Sequence, residues 1–352
     1  MTIEASIDTH EIEQVVVPFT ARDGMPLNLL HLRGPRPASR GPVLVVHGAG
    51  VRANLFRPPT DTTIVQALLA HGYDVWLENW RASIDVPPNQ WTLDKAALYD
   101  HPKAVETIAS ETGADRIKAI IHCQGSTSFM MSAAAGLVPK VTTIVSNAVA
   151  LHPRIPAVTR AKFRLSLPVL SRLLDYLDPQ WGKVAPTTIT KLITAWVKAT
   201  HHECHNTVCR LVSFTYGVGF PTLWSHANLN DATHAWINNE FAKVPVSFFQ
   251  QIYRCVLAGH LVTVDGLPGL PAAFGVAPPQ TDARFAFFAG LNNHCFLPES
   301  QRETFNYFDR YHPRFHTLRM LPGYGHLDVF IGKDAARDVF PLMIEELDKE
   351  PA

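Results

Sequence analysis

Three short strings bring together residue types that could do chemistry: HGAG at 47–50, HCQGS at 122–126 and GYGHLD at 323–328. In the second, the run RIKAIIH (116–122) feeds directly into Cys123, and a small-residue stretch expected to be a helix (126–136) follows. A strand, tight turn and helix with a nucleophile at the apex lift its side chain above a sheet. The helix N–H groups and dipole then point at it. Such a turn is cramped, which is why G-x-S-x-G carries glycines on both sides. Here Gly125 lies two residues after Cys123, but Ile121 stands two before it. A thiol near a helix N-terminus and a histidine can ionise to a thiolate–imidazolium pair. Cys123 is therefore the expected nucleophile and His326 its general base. An HG-x-G turn presents a backbone N–H to a developing oxyanion, and the residue after the nucleophile presents another. Those two are Ala49 and Gln124.

A cysteine–histidine pair works with a third group that orients the imidazole. The string AGLNNHCFLP (289–298) offers Asn293. Asn293 is expected to accept a hydrogen bond from His326 as a neutral partner. Glu299 and Asp328 are the carboxylates that could take its place, and capping of a loop or helix is the commoner role for Asp328. By type and position alone Cys123 could equally be a buried structural cysteine, and His326 a surface or capping histidine. Their flanking strings and chain order favour the catalytic reading.

The elements that must position these residues are legible as alternating runs. Residues 13–33 read as two strands around Asp23-Gly24, a hairpin signal. PVLVVHG (42–48), YDVWLEN (73–79), RIKAIIH (116–122) and VTTIVSN (141–147) read as buried parallel strands, with helices at 60–71 and 93–112 between them. Residues 150–275 lose this rhythm and are rich in Pro, Trp and His. It returns with ARFAFFAG (283–290), a helix near 300–310, FHTLRML (315–321) and a last helix at 334–348. Strands alternating with helices imply an α/β fold, with a mostly parallel central sheet flanked by helices. The expected division is a first core part at 12–149, a large helical cap or lid at 150–275, and a second core part at 276–350.

This order of motifs resembles the α/β-hydrolase fold over most of the chain. That fold usually places G-x-x-D after the strand at 283–290, and at this spacing Gly290 is followed by Asn293. The stretch 209–237, GYDVW (72–76) and HLDVF (326–330) are similar to acid lipases of the gastric and lysosomal type. The cysteine elbow and NWRAS (79–83) resemble polyhydroxyalkanoate synthases. DVWLENWRASID, IHCQGSTSF, DPQWG, HHEC, SFTYG, CFLPESQ and YGHLDVFIGK most resemble the hydrolase-like domain that accompanies cholesterol-oxidase-like flavin oxidoreductases of the glucose-methanol-choline type. The resemblance implies a hydrolase of lipid or sterol chemistry and a possible flavin-dependent partner.

Composition narrows the classes. Thirty-one basic residues balance thirty-one acidic ones, which argues against nucleic-acid binding. With 47% hydrophobic and 18% charged residues the chain is not disordered. No apolar run has the length of a membrane span, the polar start MTIEASIDTHEIEQ has no apolar leader core, and the five scattered cysteines do not form a disulfide framework. A cytoplasmic protein is expected. GVGF (217–220) lacks the spacing of a dinucleotide loop, so no cofactor is expected. The string HHECHNTVC (201–209) offers His201, Cys204, His205 and Cys209, but matches no standard zinc motif, and no metal is expected. The leading expectation is a hydrolase of carboxylic esters or thioesters that works through an acyl-cysteine. Trp181, Phe214, Tyr216, Trp224 and Trp236 would shelter an apolar acyl or sterol-like group, unless they are simply cap core. The alternatives are an acyltransferase resembling polyhydroxyalkanoate synthase and a non-catalytic partner subunit.

Overall fold

The computed structural model describes residues 7–202, 204–218 and 222–349. The start of the N-terminal string and part of GVGF lie outside them. Among the described residues there are ten strands. β1 (Glu13–Thr20) and β2 (Pro26–Arg33) form the hairpin expected around Asp23-Gly24. β3 (Pro42–Val46), β4 (Asp74–Asn79), β5 (Ile117–His122) and β6 (Val141–Asn147) follow, each reading as a short apolar run because both faces are covered. β7 (Tyr176–Leu177) and β8 (Val244–Pro245) make a small separate ladder. β9 (Arg284–Gly290) and β10 (Thr317–Leu321) return to the main sheet. Its order is β1-β2-β4-β3-β5-β6-β9-β10, antiparallel at β1–β2 and β2–β4 and parallel elsewhere.

From β3 the chain steps outward to β4, then crosses back to place β5 on the other side of β3. The direction of winding reverses there. The carboxyl ends of β3 and β5 therefore face a crevice that no crossover connection covers, which is where open α/β sheets bind ligands. HGAG leaves the end of β3 and Cys123 the end of β5.

Between β6 and β9 the chain leaves the sheet. Among the described residues four helices of ten or more residues form there, Ala157–Leu173, Thr188–Thr200, Thr207–Tyr216 and Val246–Ala258, with shorter turns among them. The predicted last helix is broken at Val339 into Ala335–Asp338 and Phe340–Asp348. Among the described residues no helix is long and apolar enough to cross a membrane.

Candidate active site

His122 ends β5 in extended backbone, and the next residue already belongs to the helix Cys123–Ala134, which starts three residues before the predicted point. Cys123 makes that turn with φ of 56°, a conformation that costs a non-glycine residue energy. Two glycines are there because nothing larger fits. A Cβ on Gly125 would lie 2.2 Å from the His47 carbonyl oxygen, and one on Gly48 would lie 2.9 Å from Cys123 Cβ. Ile121 has no such constraint. It is fully buried in β5, between Val46 of β3 and Ser146 of β6.

Cys123 is buried, at 7% exposure. Burial pushes its thiol up to about 12, against the pull of the Gln124 and Ala49 backbone N–H groups. The two expected oxyanion donors are thus the backbone groups that favour the thiolate. The loop that carries Ala49 is held from two sides: Trp80 Nε1 donates to the His47 carbonyl at 3.0 Å, and the Tyr216 hydroxyl of the cap donates to the Ala49 carbonyl at 2.8 Å.

His326 lies on the loop after β10. One nitrogen of it, one of His122 and the Cys123 sulfur fall within 4.8 Å of one another, and the two imidazoles are 4.9 Å apart. Those three atoms could hold a soft cation, but it would occupy the very sulfur that nucleophilic chemistry needs. Asn293 is beside His326 as expected, but reversed. Its Oδ1 accepts from the Cys295 and Phe296 backbone N–H groups, both at 3.0 Å. Its Nδ2 is therefore the atom that faces His326 Nδ1, at 3.2 Å. Asn293 donates where an acceptor was expected, and it holds His326 with the proton on Nε2. That nitrogen is buried and has no hydrogen-bond partner among the described residues.

Burial brings His326 down to about 3. With the thiol pushed up, the resting pair is neutral, not the expected thiolate–imidazolium pair. The physical cause is a dry pocket without an acceptor for an imidazolium Nδ1–H. Neither alternative carboxylate supplies one. The Glu299 side chain is half exposed and faces Arg302. Asp328 is buried and fully engaged, accepting from Gly325 N at 2.7 Å, Asn228 Nδ2 at 2.6 Å and Ser225 N at 3.2 Å. It fixes the loop that bears His326, the capping role weighed for it from the sequence.

A buried polar chain escaped the sequence reading. Glu78 bonds His101 Nδ1 at 2.9 Å, and His101 Nε2 lies 2.8 Å from Ser128 Oγ. Ser128 Oγ in turn donates to the Gln124 carbonyl at 2.9 Å. All three side chains are fully buried, so this serine–histidine–glutamate series cannot meet a substrate. It braces the helix turn that presents the Gln124 N–H. The one hint in the sequence was a glutamate inside the apolar run YDVWLEN. Asn147, at the end of β6, similarly holds His122 Nδ1 at 2.9 Å.

A narrow apolar slot lies beside Cys123, lined by Phe163, Tyr216, Phe248, Phe249, Cys295 and Phe296 among others, with a cavity volume of only about 20 Å³. Of the five aromatics expected to shelter an acyl group, only Tyr216 faces it. Trp181, Phe214 and Trp224 are packed inside the cap, where they bury large apolar surfaces.

No family model matches the chain. Human lipase member K is 28% identical, across 92% of this chain and 85% of its own length. Sterol esterase 2 of Saccharomyces cerevisiae is 24% identical over 176 residues, which are 43% of this chain and only 32% of that protein. A soluble variant of the Saccharomyces cerevisiae monoglyceride lipase, solved with a substrate analog, superposes at a TM-score of 0.59 with 15% identity, covering all of both chains. The chain has the α/β-hydrolase fold. The reversal of strand order at β3 and β5 and the elbow at Cys123 are how this α/β-hydrolase sheet places its candidate site.

Proposed function

We propose that the protein hydrolyses carboxylic esters or thioesters with an apolar acyl group, using Cys123 as nucleophile. The observation that carries this reading is the elbow itself. A sulfur on a strained turn, faced by two backbone N–H groups, opens onto an apolar slot. The lipase and esterase relatives support the ester class, and the exposed apolar Leu165, Leu192 and Trp196 on the cap helices suit substrates of low water solubility.

The chemistry runs in two halves. Sγ attacks the acyl carbon as its proton passes to His326, and the oxyanion is held by the Ala49 and Gln124 N–H groups. The alcohol or thiol leaves with that proton. Water, deprotonated by His326, then cleaves the acyl-cysteine, and His326 passes that proton to the departing Sγ. His326 acts as a base only through the tautomer with the proton on Nδ1, which faces the Asn293 amide donor. Catalysis is therefore slow by design of the third residue.

The test is a panel of p-nitrophenyl esters from acetate to palmitate, with Cys123→Ala as control and intact masses taken at short times. An acyl adduct on the wild type alone, with turnover favouring medium or long chains, is expected. Equal release by both proteins, with no adduct, would remove Cys123 from the mechanism. An adduct without turnover would move the reading to acyl transfer.

A further inference from the structure

Away from Cys123, the cap gathers four sulfur and nitrogen ligands from separate stretches of chain. Cys204 precedes the helix Thr207–Tyr216, and Cys209 lies in its first turn. His226 opens the short turn His226–Asn228, and His234 lies in the helix Asp231–Trp236. One ligand atom from each lies within 4.8 Å of all the others. Cys209 Sγ is 3.4 Å from His226 Nε2, and the two imidazoles meet edge-on with centroids 4.9 Å apart. Bonds of ~2.3 Å to sulfur and ~2.0 Å to nitrogen set the ligands of a tetrahedral zinc roughly 3.3–3.8 Å apart. The Cys209–His226 pair already has that spacing. His234 Nε2 is buried with no hydrogen-bond partner among the described residues. A buried imidazole nitrogen left unpaired is costly, and a metal bond would pair it.

We propose that Cys204, Cys209, His226 and His234 hold a structural zinc ion in a closed Cys2His2 site. Thiolate and imidazole donors in tetrahedral array select zinc over harder cations. Both thiols lose their protons to solvent on binding, so two thiolates balance the dication and the site is neutral overall. Asn206 supports the cluster from outside, accepting from Cys209 N at 3.1 Å and donating to the His234 carbonyl at 3.5 Å. The other residues weighed from the sequence lie elsewhere: His201 bonds Thr200 Oγ1 and packs on Trp196 and Phe214, and His205 is exposed.

Four protein ligands leave no open position, so the ion would hold structure and not catalyse. It would tie the helix that ends in Tyr216 to the segment carrying Asn228. Tyr216 bonds the Ala49 loop, and Asn228 bonds Asp328 below His326. The ion would thus anchor two of the cap's contacts to the site near Cys123, and the proposal stands whether or not Cys123 is a nucleophile.

The full chain, without a polyhistidine tag, would be expressed in zinc-supplemented medium, purified without chelator and assayed by elemental mass spectrometry. About one zinc per chain is expected. It should be lost in Cys204→Ser/Cys209→Ser and kept in His234→Cys, which replaces one ligand by another. Exchange into cobalt(II) should give the strong visible bands of a tetrahedral site with thiolate charge transfer. Should the double variant not fold, the cobalt spectrum of the wild type decides. Folded wild type that takes up no more than trace zinc and shows no cobalt bands would overturn the proposal. So would zinc kept by the double variant but lost in Cys123→Ala, which would put it on His122, Cys123 and His326. A Cys204–Cys209 disulfide in the isolated protein, with no zinc uptake after reduction, would also overturn it.

Discussion

The residue that governs this site is Asn293, through the direction of one amide. Two backbone N–H groups hold its oxygen, so its nitrogen must face His326. An aspartate there could keep both backbone bonds with one oxygen and accept from His326 Nδ1–H with the other. Asn293→Asp should therefore raise the hydrolytic kcat of the wild type by about 10- to 100-fold, the weight of one charge-assisted hydrogen bond made in place of a mismatch. The His326 titration, read by NMR of the imidazole carbons, should move upward from about 3. A lower kcat in a folded variant would mean that Asn293 serves the mechanism as it stands. The sequence showed that the carboxylate was missing, because spacing alone reveals that. It did not show which end of the amide faces the histidine, since that is decided by the fold of residues 293–296.

At the scale of elements, the helix Thr207–Tyr216 reaches from the cap onto the oxyanion loop through a single hydroxyl. Tyr216→Phe keeps the ring in the pocket wall and removes that bond. It should lower kcat by about 10-fold with little change in KM, because the loop, still held by Trp80 but loosened at Ala49, holds the oxyanion less well than it holds the ground state. Steady-state kinetics on the best ester of the panel would check this, and a change in KM alone would assign Tyr216 to substrate contact. The main sheet was largely legible, because each buried parallel strand is a β-branched or aromatic run between turn residues, as in PVLVV and RFAFFAG. The hairpin followed from Asp23-Gly24 in the same way. The buried Glu78–His101–Ser128 series and the four-ligand cluster of the cap were not legible. Their members lie 22 or more residues apart in places and meet only through packing, and no local period records such a meeting.

For the whole molecule, burial of histidine sets the response to acid. His47 and His326 are brought down to about 3, and His201 and His316 to about 4, in each case mainly by desolvation. A depressed pKa means that the unfolded chain binds protons the native chain refuses. The stability is complete above an unfolded value near 6.5 and is lost as pH falls toward the native values. At pH 5 each of the four should cost on the order of 1–2 kcal/mol relative to neutral pH. The thermal midpoint should accordingly fall steeply from pH 6.5 to pH 4.5, as scanning calorimetry would show; a flat profile would mean these rings are hydrated in solution.

The bond from Tyr216 to Ala49 has one more consequence. Cys123 lies beneath the cap at 7% exposure, so a bulky guest can reach it only if cap and sheet part. Parting them also breaks the bond that steadies Ala49, whose N–H would stabilise the oxyanion. Admission and readiness are then mutually exclusive states of one latch, and each catalytic cycle would have to pass through both.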